Sequence, residues 1–163
     1  MESSKITKLQ KIKEKSVSRL YAVQALFQIE ANSNSIEKIV IEFKNHREKE
    51  NLDSNNYSKA DLIFFKKIIE TTVKHQKKID LNIMKSIKED WAMERIDPTL
   101  RAIFRAAAAE FLIKTPPKVV ISEFLEIAKL KSLPKMMSVQ NAYNLLCRAY
   151  EVGMAEISIR EES

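Results

Sequence analysis

The sequence predicts an all-α fold, and three observations carry that prediction. One glycine and four prolines stand among 163 residues, apolar residues recur at three- and four-residue spacing along most of the chain, and polar stretches separate those periodic runs. Glycine supplies most of the tight and left-handed turns that hairpins need, so a chain with one of them has little material for sheet. Apolar spacing near 3.6 residues places a buried stripe on a helix. With 45% hydrophobic and 31% charged residues, the chain has the balance of a folded globular protein rather than a disordered one. At 163 residues it is long enough for one domain with a real core.

Taken in order, Val17, Leu20, Tyr21, Val23, Leu26 and Ile29 mark a largely buried helix from about Ser16 to Ala31. Asn32 to Ser35 break it, and Ser35 opens a second helix with the stripe Ile36, Ile39, Val40 and Phe43. Asn45 to Asn56 lacks periodicity and reads as a long surface loop. Ser58, with Asp61 three residues on, caps a third helix bearing Leu62, Phe65, Ile68, Ile69 and Val73. A fourth follows through Ile79, Ile83 and Ile87 to end near Trp91, which reads as a core aromatic. Asp97-Pro98 is the sharpest start in the chain, because aspartate accepts from free N–H groups and proline has none to satisfy. The helix it opens carries Leu100, Ile103, Phe104 and the small run Ala106 to Ala109, which lets neighbours approach closely, and Pro116-Pro117 ends it. Val119 to Ala128 form the next helix and Val139 to Tyr150 the last, with Pro134 between them, giving about seven in all.

Most catalytic chemistries are excluded or disfavoured by what is missing. With Gly153 alone, no glycine-rich phosphate loop or dinucleotide fingerprint can be built. Cys147 has no disulfide partner and lies in an apolar helical pattern, where it reads as a small core residue. His46 and His75 stand apart without metal-ligand spacing, so no metal and no cofactor are expected. Glu123 and Glu126 form an acidic pair three residues apart, more simply surface charges than a general acid and base. No apolar run approaches the roughly 18 to 20 residues of a membrane span, and the N-terminus lacks the apolar core of a secretory signal; a cytoplasmic protein with no membrane partner and no enzymatic activity is expected.

Charge supplies the positive signal. The net charge is +6, and residues 1 to 19 hold Lys5, Lys8, Lys11, Lys13, Lys15 and Arg19 against Glu2 and Glu14. Two readings stay open: a poorly ordered solubilising arm, or a contact for a polyanion. Lys13, Lys15 and Arg19 are spaced to line one end of the first buried helix, and Tyr21 or Phe27 could stack on unpaired bases if exposed. By its place on the apolar stripe Phe27 reads as core.

Three segments resemble the NusB family, especially its alphaproteobacterial branch. They are Ser18-Arg-Leu-Tyr-Ala-Val-Gln-Ala-Leu-Phe-Gln28; Trp91-Ala-Met-Glu-Arg-Ile-Asp-Pro-Thr-Leu-Arg-Ala-Ile-Phe-Arg105 with Glu110-Phe; and Pro117-Lys-Val-Val-Ile-Ser-Glu123 through Glu126-Ile-Ala-Lys129 to Asn141-Ala142. Order and spacing agree over about residues 15 to 150. The resemblance implies a NusB-like bundle of about seven helices, two helical halves packed around a central helix. With the charge distribution it divides the chain into a basic, poorly ordered N-terminal arm at 1–15, a NusB-like domain at 16–157 and a C-terminal tail at 158–163. It implies a non-catalytic transcription antitermination factor that binds boxA-like single-stranded leader RNA of ribosomal RNA operons with ribosomal protein NusE, within an RNA polymerase antitermination complex. Some family members form homodimers. On the same analogy Lys13, Lys15 and Arg19 meet phosphates, Phe27 takes the place of an RNA-proximal tyrosine, and the loop Lys135 to Val139 completes the surface. Ser16 and Val17 replace a run of arginines common in the family, so phosphate contact depends on lysines, which lack arginine's bidentate fork. Two other readings stay open: the resemblance also admits a stand-alone RNA-binding domain related to that of ribosomal RNA cytosine methyltransferases, and a helical protein–protein adaptor with a solubilising basic arm fits the composition.

Overall fold

A computed structural model describes the backbone of residues 1–53, 60–87, 92–130 and 137–162, and their side chains outside 47–53 and 154–162. Among the described residues all regular structure is helical: α1 (Glu2–Asn32), α2 (Ile36–Asp53), α3 (Leu62–Lys74), α4 (Gln76–Ser86), a 3-10 turn (Met93–Arg95), α5 (Pro98–Leu112), α6 (Pro117–Leu130) and α7 (Val139–Glu162). The seven expected helices are all present. Trp91, Ser58, Pro134 and Lys135 lie outside the described residues. The chain divides into two compact units, Met1–Glu70 and Thr71–Ser163.

In the first unit, α1 and α2 enclose an aromatic cluster. Tyr21 lies 5.4 Å from Phe43 and 6.5 Å from Phe65 between ring centroids, and Phe43 lies 5.1 Å from Phe65. Edge-to-face and tilted rings of this kind add to the burial of large apolar surface. Two boundaries differ from the sequence reading. α1 begins at Glu2 and runs without a break through residue 15, since residues 2–15 contain neither glycine nor proline and are rich in lysine and other helix formers. α2 continues to Asp53, through the segment read as a loop; a charged stretch without an apolar stripe hides its helical character from a periodicity argument. α1 ends at Ser33, which takes the left-handed conformation (φ 52°) and donates its N–H to the Ile29 carbonyl at 3.0 Å. Ser35 accepts from the Lys38 N–H at 3.3 Å, as expected at the start of α2. α3 is capped by Asp61 itself, whose Oδ1 accepts from the Phe64 N–H at 3.1 Å.

In the second unit, α5 is central and packs on α4, α6 and α7. Ala106 to Ala109 are all buried, which is what lets three helices share one neighbour. Asp97 caps it as expected, accepting from Thr99 N–H at 2.9 Å and Leu100 N–H at 3.4 Å ahead of Pro98. The Arg101 guanidinium donates to the carbonyls of Met93 at 3.1 Å and Ile96 at 2.7 Å, fastening the 3-10 turn to α5. Arg105 makes a bidentate pair with Asp80 of α4, Nε to Oδ1 at 2.9 Å and NH2 to Oδ2 at 3.0 Å. Pro117 opens α6 as its first residue, a role that its missing N–H suits. Gly153 sits where a Cβ would come 3.0 Å from the Asn82 side chain, so the lone glycine permits a close approach of α7 to α4.

Candidate nucleic-acid interface

The candidate residues of the first unit all lie on α1. Ser18, completely buried, pins this helix to the start of α3: its hydroxyl accepts from the Asp61 N–H at 2.7 Å and lies 2.7 Å from the Glu14 carbonyl and 2.9 Å from that of Asp61. That junction brings Phe64, the third residue of α3, beneath the basic stretch of α1. The Lys15 ammonium sits 5.2 Å, and the Arg19 guanidinium 5.3 Å, from the centroid of the Phe64 ring. Both distances fall within the range in which an aromatic face attracts a cation.

The three cations expected together are not brought together. Successive helical residues turn by about 100°, so Lys13 and Lys15 lie about 160° apart around α1, whereas Lys15 and Arg19, four residues apart, share a side. Lys13 and Lys15 are exposed. Arg19 is only 3% exposed, against its expected place at the surface. Arginine's planar, weakly hydrated head tolerates such a site where lysine's does not. Phe27 departs in the other direction: expected in the core from its periodicity, it is 40% exposed, while Tyr21 is buried among Phe43 and Phe65. Phe27 lies within about 40° of Lys13 around the helix axis, so the exposed aromatic and that lysine share a side of α1 while standing about 21 Å apart along it.

In the second unit Val139, the first residue of α7, is 38% exposed. Cys147 is half-buried on α7, and its side-chain hydrogen bond with Tyr143 holds the Tyr143 phenol above its ordinary pKa. Among the described residues no group of three or more His, Cys, Asp or Glu side chains could hold a metal ion, and no helix is long and apolar enough to cross a membrane. Ser18 and Phe64 escaped the sequence reading. The only sign of the first is a small polar residue interrupting an apolar run, and of the second a Phe64-Phe65 doublet, of which a helix can bury only one side chain on a given face.

The NusB family profile matches residues 16–142. The chain is 40% identical over 123 residues to the transcription antitermination protein NusB of Sinorhizobium fredii, covering 74% of this chain and 77% of that protein. It is 39% identical over 121 residues to the protein of the same description from Caulobacter vibrioides, covering 73% and 81%. Two solved structures share the fold. The solution structure of NusB from Aquifex aeolicus superposes with a TM-score of 0.68 at 19% identity, covering 88% of this chain and 92% of that one. A crystal structure of the antitermination factors NusB and NusE in complex with dsRNA gives a TM-score of 0.66 at 21% identity, covering 85% and 96%.

Proposed function

The chain belongs to the NusB family, and from that premise we propose that it is a transcription antitermination factor that binds boxA-like leader RNA of ribosomal RNA operons together with ribosomal protein NusE. It works in the cytoplasm as part of an antitermination complex on RNA polymerase, by binding rather than by catalysis. Family membership supplies the role, and the observation that carries RNA contact is the 40% exposure of Phe27 on a helix whose Tyr21, Val23 and Leu26 are buried. An aromatic face that the fold leaves open offers a base a stacking surface, and the exposed Lys15 and Lys13, about 18 and 21 Å back along the same helix, offer counter-charges to phosphates several nucleotides along the strand.

The roles divide as the geometry divides them. Phe27 stacks on a base, Lys13 and Lys15 meet phosphates from two sides of α1, and Arg19 acts from beneath, sharing the Phe64 ring with Lys15. Val139 and Lys135 are assigned to the RNA surface by resemblance, with the exposure of Val139 as support for the first.

Titration of labelled boxA-like RNA over a salt series tests the reading. If five or more phosphates are neutralised, affinity falls roughly a hundredfold or more between about 50 and 200 mM salt. A flat curve would reject RNA binding and leave the adaptor reading. Capture of purified NusE by the purified chain, with and without RNA, tests the partner.

A further inference from the structure

The family profile begins at residue 16, yet α1 begins at Glu2, so three to four turns of exposed helix precede the part of the chain that the family shares. Those turns carry ordered charge. Lys8, Lys11 and Lys15, at steps of three and four residues, fall within about 60° of one another around the axis, and Arg19 lies about 40° further round from Lys15. Lys5 lies outside this row, about 40° from Leu9 on the side of the exposed apolar residues. The exposed apolar side chains Ile6, Leu9 and Ile12 have their centre more than about 90° away. Lys8 to Lys15 spans about 10 Å along the helix, and the row ends on the Phe64 ring, where Lys15 and Arg19 already sit.

We propose that this lysine row, Lys8, Lys11 and Lys15, is a phosphate-tracking extension of the RNA surface, which leads a single strand away from the Phe64 junction along the first turns of α1. The inference rests on the RNA-binding reading and goes beyond it in assigning contacts to residues outside the shared family region. Charge complementarity commits it to a polyanionic strand: three exposed ammonium groups in line match a linear repeat of phosphates, and release of counterions from such a repeat makes the contact salt-dependent. An anionic membrane is the competing occupant, since lysines beside Ile6, Leu9 and Ile12 also describe a helix lying at a lipid surface. Continuity of the row with the Lys15–Phe64–Arg19 cluster favours the strand.

The test uses the full chain. K8Q/K11Q removes two cations from the row, and K38Q/K44Q removes two exposed cations from α2, leaving the same net charge. At about 0.7 per phosphate for a single strand, the slope of log K against log salt for labelled single-stranded RNA should become shallower by about 1.4 in K8Q/K11Q, with binding weaker by on the order of tenfold at 100 mM salt. K38Q/K44Q should keep the original slope, and both variants should keep the circular dichroism of the unsubstituted chain. An equal loss of slope in the two variants would overturn the row in favour of net charge alone. An unchanged slope in K8Q/K11Q, the unsubstituted chain being steep, would overturn it outright. Loss of sedimentation with phosphatidylserine vesicles in K8Q/K11Q, alongside that unchanged slope, would reassign the row to a membrane. A flat slope for the unsubstituted chain would instead bring down the RNA reading itself, and this inference with it.

Discussion

Arg19 shows how burial changes what a charged residue does for the fold. Its place beside Lys13 and Lys15 suggests a surface cation, but at 3% exposure, with its head over Phe64, it belongs to the packing of α1 on α3. Removing a surface cation rarely costs more than about 1 kcal/mol, whereas removing a desolvated one leaves its hydrogen-bonding partners and the aromatic face unmatched. Arg19→Gln should therefore lower stability by about 1–3 kcal/mol, which for a chain of this size is a fall of roughly 2–10 °C in melting temperature. Lys15→Gln should leave it within about 1 kcal/mol. Equal melting temperatures for the two variants, measured by circular dichroism, would return Arg19 to the surface. Ser18 makes the complementary case: Ser18→Ala strips the Asp61 N–H of its 2.7 Å acceptor while enlarging nothing, and should cost about 1–2 kcal/mol although only one oxygen is lost.

At the scale of elements, legibility tracked whether a boundary has a chemical marker. The start of α5 was readable to the residue because Asp97-Pro98 combines a cap acceptor with a residue lacking N–H, and the cap bonds are there. The end of α2 was not, because from Asn45 onward no apolar stripe reports the helix and no glycine or proline stops it. The start of α1 at Glu2 is hidden for a similar reason: its first turns bury nothing, so apolar periodicity begins only where the core does, near Ser16. A marked boundary can be tested through its marker. Asp97→Ala should destabilise the protein by about 1 kcal/mol, and Asp97→Asn or Asp97→Ser should restore most of that loss, since either side chain can accept the same two N–H groups. Failure of both replacements to recover stability would mean that Asp97 acts through its charge rather than as a cap.

For the whole molecule, fold class followed from the scarcity of glycine and the helical spacing, and the family from three separated strings, because both are spread over the chain and survive local misreadings. The site was less legible. Phe27 sits on an apolar period that the core occupies at Tyr21, Val23 and Leu26, and nothing in the spacing says that burial stops one residue later. Charge and stacking, distributed in this way, should also separate in time. A net charge of +6, with its excess in the first 19 residues, acts at a distance and speeds encounter with a polyanion before any contact is made. Phe27 can act only after a base has arrived. Raising salt from about 50 to 200 mM should therefore reduce the association rate of single-stranded RNA by about tenfold or more, in the unsubstituted chain and in Phe27→Ala alike. Phe27→Ala should instead raise the dissociation rate by roughly five- to a hundredfold at any one salt concentration, the equivalent of about 1–3 kcal/mol of base stacking. Stopped-flow fluorescence with a labelled strand separates the two rates. If Phe27→Ala slowed association and left dissociation alone, the exposed ring would be guiding the approach of the strand rather than holding a base, and the stacking role given to it here would be wrong.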